Sequence, residues 1–206
     1  MLLLEHYTLT IGNNDEKPTK IIEKLIHHIT KYIPVSNELK NRLATICETQ
    51  NFPKNHFLHK PNRICLNTYF INKGLTRVYY LKNEKEITDD FSAENEWITS
   101  IYSFLQNIPD HFHIQTLEET ELIRISLNDL ENCFQDFPEM ERFGRMLISK
   151  YFLEQSERII SLQFNTAKER YQFFERTAKK KLSRVPLGML ASHLGMTQET
   201  LSRARS

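Results

Sequence analysis

The spacing of apolar residues predicts two helices near the N-terminus of this chain. From Pro18 onward, isoleucines and leucines recur every three or four residues until Pro34 ends the pattern, as on the apolar face of a helix. Ser36 then stands where an N-cap would open a second helix. The apolar positions are Ile21, Ile22, Leu25, Ile26, Ile29 and Ile33 in the first helix and Leu39, Leu43 and Ile46 in the second.

After Pro53 the pattern changes to short runs rich in Tyr, Phe, Ile, Val and Thr, separated by turn residues. These runs predict strands at 65–71, 75–81, 86–91, 111–116 and 121–126, and hence an antiparallel β-sandwich or roll. The clearest predicted hairpin spans 66–81, because Gly74 at its turn can adopt a positive φ.

A helical period returns between residues 138 and 162. Its apolar seam predicts a dimerisation helix of about two heptads, in which one buried glutamine fixes the register between two copies. Because the seam is so short, a single amphipathic helix packed on its own domain is the alternative. The seam residues, spaced by four, three, four and three, are Ile148, Phe152, Gln155, Ile159 and Leu162.

Residues 185–203 predict a helix-turn-helix. A first helix opens at Pro186 and is followed directly by Gly195, which supplies the turn. Thr197 is then suited to cap a second helix, whose Met196 and Leu201 pack back on the first. The first helix buries Leu187, Leu190, Ala191 and Leu194.

The second of these helices is expected to read DNA. It carries Gln198, Glu199, Ser202 and Arg203 outward beside Thr197. Arginine is shaped for bidentate contact with guanine, and glutamate accepts from cytosine. An ordinary helical hairpin with a polar surface is the alternative interpretation.

Charge supports the first interpretation. The chain has a net charge of only +1, yet residues 165–206 hold nine Lys or Arg against three Glu. A basic C-terminal module on an acidic body is typical of proteins that bind nucleic acid. Within the lysine run at 179–181, Lys180 and Lys181 are expected to neutralise phosphates.

Other chemistry finds little support in the sequence. Cys47, Cys65 and Cys133 form no Cys-x-x-Cys pair, and His111 and His113 share a strand face without a third ligand, so we expect no metal site and no cofactor. No phosphate-binding loop or nucleophile motif is present, so no catalytic residues are assigned and an enzyme is not expected. No signal peptide or membrane-spanning run is found, which makes the cytoplasm the expected location.

The order of these elements resembles the Crp/Fnr family of bacterial transcription regulators. The most specific matches are Leu190-Ala191-x-x-Leu194-Gly195-Met196 and Glu199-Thr200-Leu201-Ser202-Arg203. The resemblance implies contacts of Glu199, Ser202 and Arg203 with base edges and phosphates. It also implies a homodimer that binds a palindromic site in double-stranded DNA.

The resemblance gives an α+β fold with three parts. N-terminal helices and a jelly-roll-like, cyclic-nucleotide-binding-type β-roll would form a sensor domain at 1–136. A long dimerisation helix would follow at 137–163, and the helix-turn-helix domain would occupy 164–206. Family members usually continue beyond the Ser-Arg pair, whereas this sequence stops at Ser206, so we expect a frayed final helix and weak DNA binding.

The predicted effector pocket departs from the members of the family that bind cyclic AMP. In an ungapped alignment of residues 98–126, the Gly-Glu pair that holds the ribose falls on Thr99 and Ser100, and the Arg-Ser pair that holds the phosphate falls on Asp110 and His111. A carboxylate in place of a guanidinium repels phosphate. Trp97 lies at the pocket edge, or else is simply a core aromatic.

The sequence therefore favours a homodimeric DNA-binding transcription regulator with an effector pocket that has lost its cyclic AMP residues. Any effector would be a small molecule that the sequence does not identify. The alternative is a sensor or interaction module whose shortened helix-turn-helix does not bind DNA productively. The exposed face of residues 198–205 distinguishes the two hypotheses.

Overall fold

The computed structural model describes residues 16–205, and over this range it confirms the α+β fold predicted from the sequence. Helices precede and follow an antiparallel β-roll in the chain, and a long helix leads to a C-terminal group of short helices. Most of the segment before Pro18, and Ser206 at the chain end, lie outside the described residues.

The two predicted N-terminal helices are present as α1 (Glu16–Ile29) and α2 (Asn37–Ile46). The Ser36 hydroxyl caps α2 by accepting a hydrogen bond from the Leu39 amide at 3.1 Å. The apolar faces of both helices join one buried cluster with residues of the roll and of the long helix. That cluster includes Leu25, Ile29, Leu39, Leu43, Phe70, Ile123 and Phe143, each fully buried.

The β-roll consists of two four-stranded sheets in which every pairing is antiparallel. One sheet has the strand order β1-β8-β3-β6 and the other β2-β7-β4-β5. The strands are β1 (Glu48–Phe52), β2 (Phe57–His59), β3 (Asn67–Lys73), β4 (Thr76–Lys82), β5 (Lys85–Ser92), β6 (Trp97–Ile98), β7 (His113–Thr116) and β8 (Thr120–Ser126).

The predicted hairpin at 66–81 is wrong, because β3 and β4 lie in different sheets and do not pair. Gly74 does adopt a positive φ of 117°, but it carries the chain across from one sheet to the other. A Cβ there would lie 2.5 Å from the Thr120 hydroxyl oxygen, so the crossing requires glycine. The true hairpin is β4–β5, whose turn at Asn83 and Glu84 has two positive φ values, as in a type I′ turn.

Two helices that the sequence pattern did not indicate flank the roll. Helix α3 (Ile101–Gln106) fills the connection between β6 and β7, and α4 (Leu127–Asp136) follows β8 directly. The Ser126 hydroxyl caps α4 by accepting from the Asp129 amide at 3.1 Å. Helix α5 (Pro138–Phe164) then runs for 27 residues, as the helical period predicted.

The C-terminal helices are α6 (Ala167–Thr177), α7 (Lys179–Leu182), α8 (Leu187–His193) and α9 (Gln198–Arg205). Pro186 is the N-cap of α8 rather than its first helical residue. The core between these helices contains the predicted apolar face together with Phe91 and Leu75 of the roll. Its other buried members include Tyr171, Phe174, Val185, Leu190, Ala191, Leu194 and Leu201.

None of the helices found between residues 16 and 205 is both long enough and apolar enough to cross a lipid bilayer.

Candidate nucleic-acid interface and effector cavity

Helices α8 and α9 form a compact helix-turn-helix. Gly195 turns the chain with a φ of 64°, and the Thr197 hydroxyl caps α9 by accepting from the Thr200 amide at 3.2 Å. Leu201 and Ala204 point into the core and hold α9 against the other helices. The opposite face of α9 is therefore fixed in an outward orientation.

That outward face contains all five residues predicted to read DNA. Thr197, Gln198, Glu199, Ser202 and Arg203 are all exposed. The Gln198 amide also lies over Gly188, where a Cβ would come within 2.5 Å of its nitrogen. Arg205, which the sequence interpretation did not include, is exposed on the last turn of the same helix.

The two lysines predicted to contact phosphates lie in different surroundings. Lys180 is exposed on α7. Lys181 instead folds onto the β-roll, where its Nζ forms an ion pair with Glu96 at 2.6 Å and donates to the Phe91 carbonyl at 2.7 Å. In this conformation Lys181 is a contact between domains and not part of the exposed surface.

Lys181 belongs to a larger contact that docks the helix-turn-helix on β5. The Ser192 hydroxyl accepts from the Thr88 amide at 2.7 Å, and the His193 Nδ1 lies 2.9 Å from the Asp89 carbonyl oxygen. Because that oxygen can only accept, Nδ1 carries the proton. The His193 ring also packs between the rings of Phe91 and Phe174, at 5.3 and 5.5 Å between centroids.

A second part of this contact lies at the edge of the roll. The Arg184 guanidinium bridges Glu94, at 2.8 Å, and Glu118. Burial alone would raise the pKa of Glu94, but hydrogen bonds from Arg184 and the Gly74 amide outweigh it and lower that pKa to about 2. Glu94 therefore remains charged and paired with Arg184 at neutral pH.

A cavity of about 360 Å³ lies between the β-roll, α3 and α5. Of the five residues predicted for the effector pocket, Trp97, Thr99 and Ser100 line it. The Trp97 ring also packs against Phe70 and Phe143, at 5.4 and 6.0 Å between centroids. The two interpretations of Trp97, pocket edge and core aromatic, therefore both hold.

Asp110 and His111 do not line the cavity, contrary to their assignment from the ungapped alignment. The buried Asp110 carboxylate accepts from the Ser100 hydroxyl and from the Phe112 amide at 3.0 Å, and it lies 3.0 Å from His59 Nε2. His111 stacks on Phe112, at 4.4 Å between ring centroids. Asp110 therefore stabilises the connection around α3 from behind the cavity wall.

The predicted seam of α5 divides into two parts. Ile148, Phe152 and Ile159 are exposed, whereas Gln155 and Leu162 are partly buried and face the C-terminal helices. The Leu162 Cδ2 lies 2.9 Å from where a Cβ on Gly195 would be placed. The exposed apolar surface of α5 is also wider than the heptad pattern indicated, since it includes Leu153, Ile160 and Phe164.

The histidine pair at 111 and 113 is not part of a metal-ligand cluster. His113 stacks on Tyr79 at 4.5 Å, away from the ring of His111. Within the part of the chain that the structure describes, no three His, Cys, Asp or Glu side chains come together as a metal centre would require.

The structure thus joins a β-roll with a cavity, through a long helix, to a helix-turn-helix. Residues 49–137 match the family model of the cyclic nucleotide-binding domain. No curated protein matches the sequence.

Solved structures with this fold are similar over most of their length. FixK2 from Bradyrhizobium japonicum is 15% identical, with a TM-score of 0.69 over 78% of this chain and 83% of FixK2. The c-di-GMP responsive global regulator CLP of Xanthomonas campestris is 18% identical, with a TM-score of 0.65 over 80% and 87%. A Eubacterium rectale protein assigned to the Crp/Fnr family as a transcriptional regulator is 19% identical, with a TM-score of 0.66 over 84% and 85%.

These comparisons confirm the Crp/Fnr-type resemblance inferred from the sequence, at the level of the fold and of the cyclic nucleotide-binding-type domain.

The docked position of His193 predicts a pH-dependent stability. Burial, with a further effect of Arg158, lowers the pKa of His193 to about 3. The unfolded chain then binds a proton that the folded chain excludes, so stability is complete above about pH 6.5 and falls as the pH decreases toward the folded pKa. Replacing His193 with Gln should reduce this loss by up to about 1.4 kcal/mol per pH unit below 6.5.

Urea unfolding at pH 7 and pH 5 measures this difference. The matched control is His28→Gln, because burial also lowers the pKa of His28 to about 4 but His28 lies in the N-terminal core. Both variants should flatten the pH dependence, and only His193→Gln should weaken the contact with β5. An unchanged pH dependence in His193→Gln would contradict the assignment.

Proposed function

We propose that this chain is a sequence-specific DNA-binding transcription regulator that acts as a homodimer and does not respond to cyclic AMP. The observation that carries the proposal is the outward face of α9, where Glu199, Ser202 and Arg203 stand exposed on a helix whose other face is buried. In a helix-turn-helix, this is the helix that enters the major groove.

The chemistry of this face suits base recognition. Arg203 can form two parallel hydrogen bonds with guanine, and Glu199 can accept from a cytosine amino group one turn earlier on the same helix. Thr197 and Gln198 stand at the N-terminus of α9, which favours contact with phosphate oxygens. Lys180 on α7 adds a positive charge that remains exposed.

The surface of α5 supports a homodimer. Phe152 is 68% exposed and Phe164 is 78% exposed, and Leu153, Ile159 and Ile160 are also more than half exposed. A soluble monomer seldom leaves so many large apolar side chains together in water. A second copy of the same helix is the partner that the seam predicts, and it would place two α9 helices on one palindromic site.

The lining of the cavity supports the proposal that the protein does not bind cyclic AMP. Thr99 and Ser100 line the cavity, and the Asp110 carboxylate is already engaged by His59 and Ser100. Among the described residues that line the cavity there is no arginine or lysine. A cyclic phosphate would therefore lose its hydration without gaining a counter-charge.

The docking of α8 on β5 offers a route from the cavity to DNA. Asp90 lines the cavity, while the neighbouring Asp89 and Phe91 accept hydrogen bonds from His193 and Lys181. A ligand that binds one arrangement of β5 better than another would shift the position of α8 and α9.

The same docking favours the second candidate function, a sensor or interaction module. Lys181 and Arg184 are both engaged with carboxylates of the roll, which removes two positive charges from the surface available to DNA. In that case the helix-turn-helix serves as a docking element, and the protein would show no DNA binding at all.

Substitution of Arg203 tests the proposed function. Arg203→Ala should weaken binding to the preferred sequence by about tenfold to a hundredfold, since a bidentate contact with guanine contributes about 1–3 kcal/mol. Arg203→Lys should keep the charge and the salt dependence but lose most of the sequence preference. The measurement is binding to DNA selected by the parent protein from random sequence, at two salt concentrations.

Lys40→Ala is the matched control, because Lys40 is an exposed cation on α2, far along the chain from the helix-turn-helix. It should bind like the parent. Equal binding of the parent and Arg203→Ala to every sequence would defeat the claim of specificity, and a parent that binds no DNA would favour the sensor module.

The dimer interface predicts a second result. Phe152→Asp combined with Ile159→Asp should convert the dimer to a monomer, because two carboxylates would be buried without partners in the apolar seam. Sedimentation velocity measures the change in mass. Leu66→Asp replaces a side chain with 52% exposure outside α5 and should leave the dimer intact. A parent protein that sediments as a monomer at micromolar concentration would contradict the proposal.

Cyclic AMP provides a third result. At millimolar concentration it should leave the melting temperature unchanged, because a ligand stabilises the fold only if it binds the native state. Differential scanning fluorimetry with and without cyclic AMP measures this. A rise of several degrees would show that the cavity holds a phosphate after all.

A further inference from the structure

The wall of the cavity is predominantly apolar. Aromatic and aliphatic side chains from β6, α3, α4 and α5 surround it, and the volume of about 360 Å³ lies within the range of roughly 300–1,000 Å³ seen for small-molecule sites. Representative members of this wall are Ile98, Phe104, Phe112, Phe134, Met140 and Phe143.

Both charged side chains among the described residues that line the cavity are carboxylates, and one of them, Asp89, forms an ion pair with Arg158 at 3.6 Å. Among the same described residues, Asp89 and Asp90 are the charged ones, and neither lysine, arginine nor histidine is present. Burial raises the pKa of Asp90 to about 7, despite the opposing effect of Lys181. This shift shows how strongly the wall disfavours negative charge.

Trp97 lines this cavity and also the neighbouring cavity beside the C-terminal helices. The Trp97 indole N–H is buried and has no hydrogen-bond partner. An indole nitrogen can only donate, so its complement is an acceptor such as a hydroxyl or carbonyl oxygen. A buried donor without a partner is destabilising, and a ligand oxygen would relieve this penalty.

We propose that this cavity binds an uncharged, mainly apolar small molecule that carries a single hydrogen-bond acceptor, such as an alcohol or a ketone. The apolar wall supplies the affinity and disfavours a charged ligand, and the Trp97 N–H accounts for the ligand oxygen. The ionised fraction of Asp90 adds repulsion of anions. This inference deepens the proposed function by naming the class of effector, and it depends on that function only for the consequence at the DNA.

Trp97 makes the test direct, because it is the only tryptophan of the chain and lines the cavity. The probes are 1-octanol and octanoate, which share the alkyl chain and differ in charge, and neither absorbs where tryptophan emits. With the full-length protein, 1-octanol should shift Trp97 emission saturably and raise the melting temperature. Octanoate should bind at least tenfold more weakly.

Three variants locate the binding site. Asp90→Asn removes the carboxylate with little change in shape and should reduce the ratio of the affinity for 1-octanol to that for octanoate at least threefold.

Val78→Phe and Ile101→Phe each add bulk to the cavity wall and should lower the affinity for 1-octanol at least tenfold. Leu66→Phe makes a comparable change on the exposed surface outside the cavity and should bind like the parent.

The outcomes separate this inference from the proposed function. The inference would be overturned if 1-octanol gave no saturable response, or if octanoate bound more tightly than 1-octanol. It would also be overturned if Val78→Phe and Ile101→Phe, the two variants that fill the cavity, both bound 1-octanol as tightly as the parent protein. Circular dichroism of each variant verifies the fold, and a second filled variant covers the case in which one does not fold. Because the assay contains no DNA, a failure of the DNA experiments leaves this result standing, and the reverse also holds.

Discussion

The structure depends on β5, a single strand with two sets of contacts. It pairs with β4 in the roll, and its residues Asp89, Asp90 and Ser92 line the cavity. The backbone of the same strand is held by the C-terminal helices, through the Thr88 amide and the carbonyls of Asp89 and Phe91. A rearrangement of the β5 part of the cavity wall therefore lies within one or two residues of the contacts with the C-terminal helices.

The contact between the C-terminal helices and the β-roll is held by interactions that are individually weak. The ion pairs of Lys181 and Arg184 involve partly exposed carboxylates, and such pairs contribute only about 0–1 kcal/mol each. The packing of His193 between Phe91 and Phe174 is the more specific part. Because each of these interactions contributes little free energy, a ligand that binds one position of the C-terminal helices moderately better than another can change which position is populated.

The sequence predicted what local patterns determine. Leu190, Ala191, Leu194 and Leu201 lie where helical spacing placed them, and the roles of Ser36 and Thr197 as N-caps followed from residue type. Strand pairing was less accessible, because the positive φ of Gly74 fits a hairpin turn and a crossing between sheets equally well. Strands β1, β2 and β6 are short or polar and show no alternation that a pattern would detect.

In the candidate site, too, the sequence predicted the features that depend on local patterns and missed those that depend on distant contacts. Exposure of Glu199, Ser202 and Arg203 followed from the periodicity of α9, whereas the position of Lys181 depends on Glu96, 85 residues earlier in the chain, and no local signal reports such a contact. The sequence placed Asp110 in the effector pocket, whereas the structure places its carboxylate outside the cavity lining, 3.0 Å from His59 Nε2. His59 comes from β2, 51 residues earlier in the chain, and only the folded structure brings the two together.

The position of Asp110 has a consequence for how a signal could start. Its carboxylate holds Ser100 at the N-cap of α3, and its backbone carbonyl accepts from the Asn62 amide at 2.7 Å. The connection around α3 is thus ordered by the protein's own side chains and not by a ligand phosphate. In the proposed function, a response to an effector would therefore come from the opposite wall of the cavity. There Asp90 on β5 and Tyr151 on α5 lie next to the elements that carry the helix-turn-helix and the proposed dimer seam.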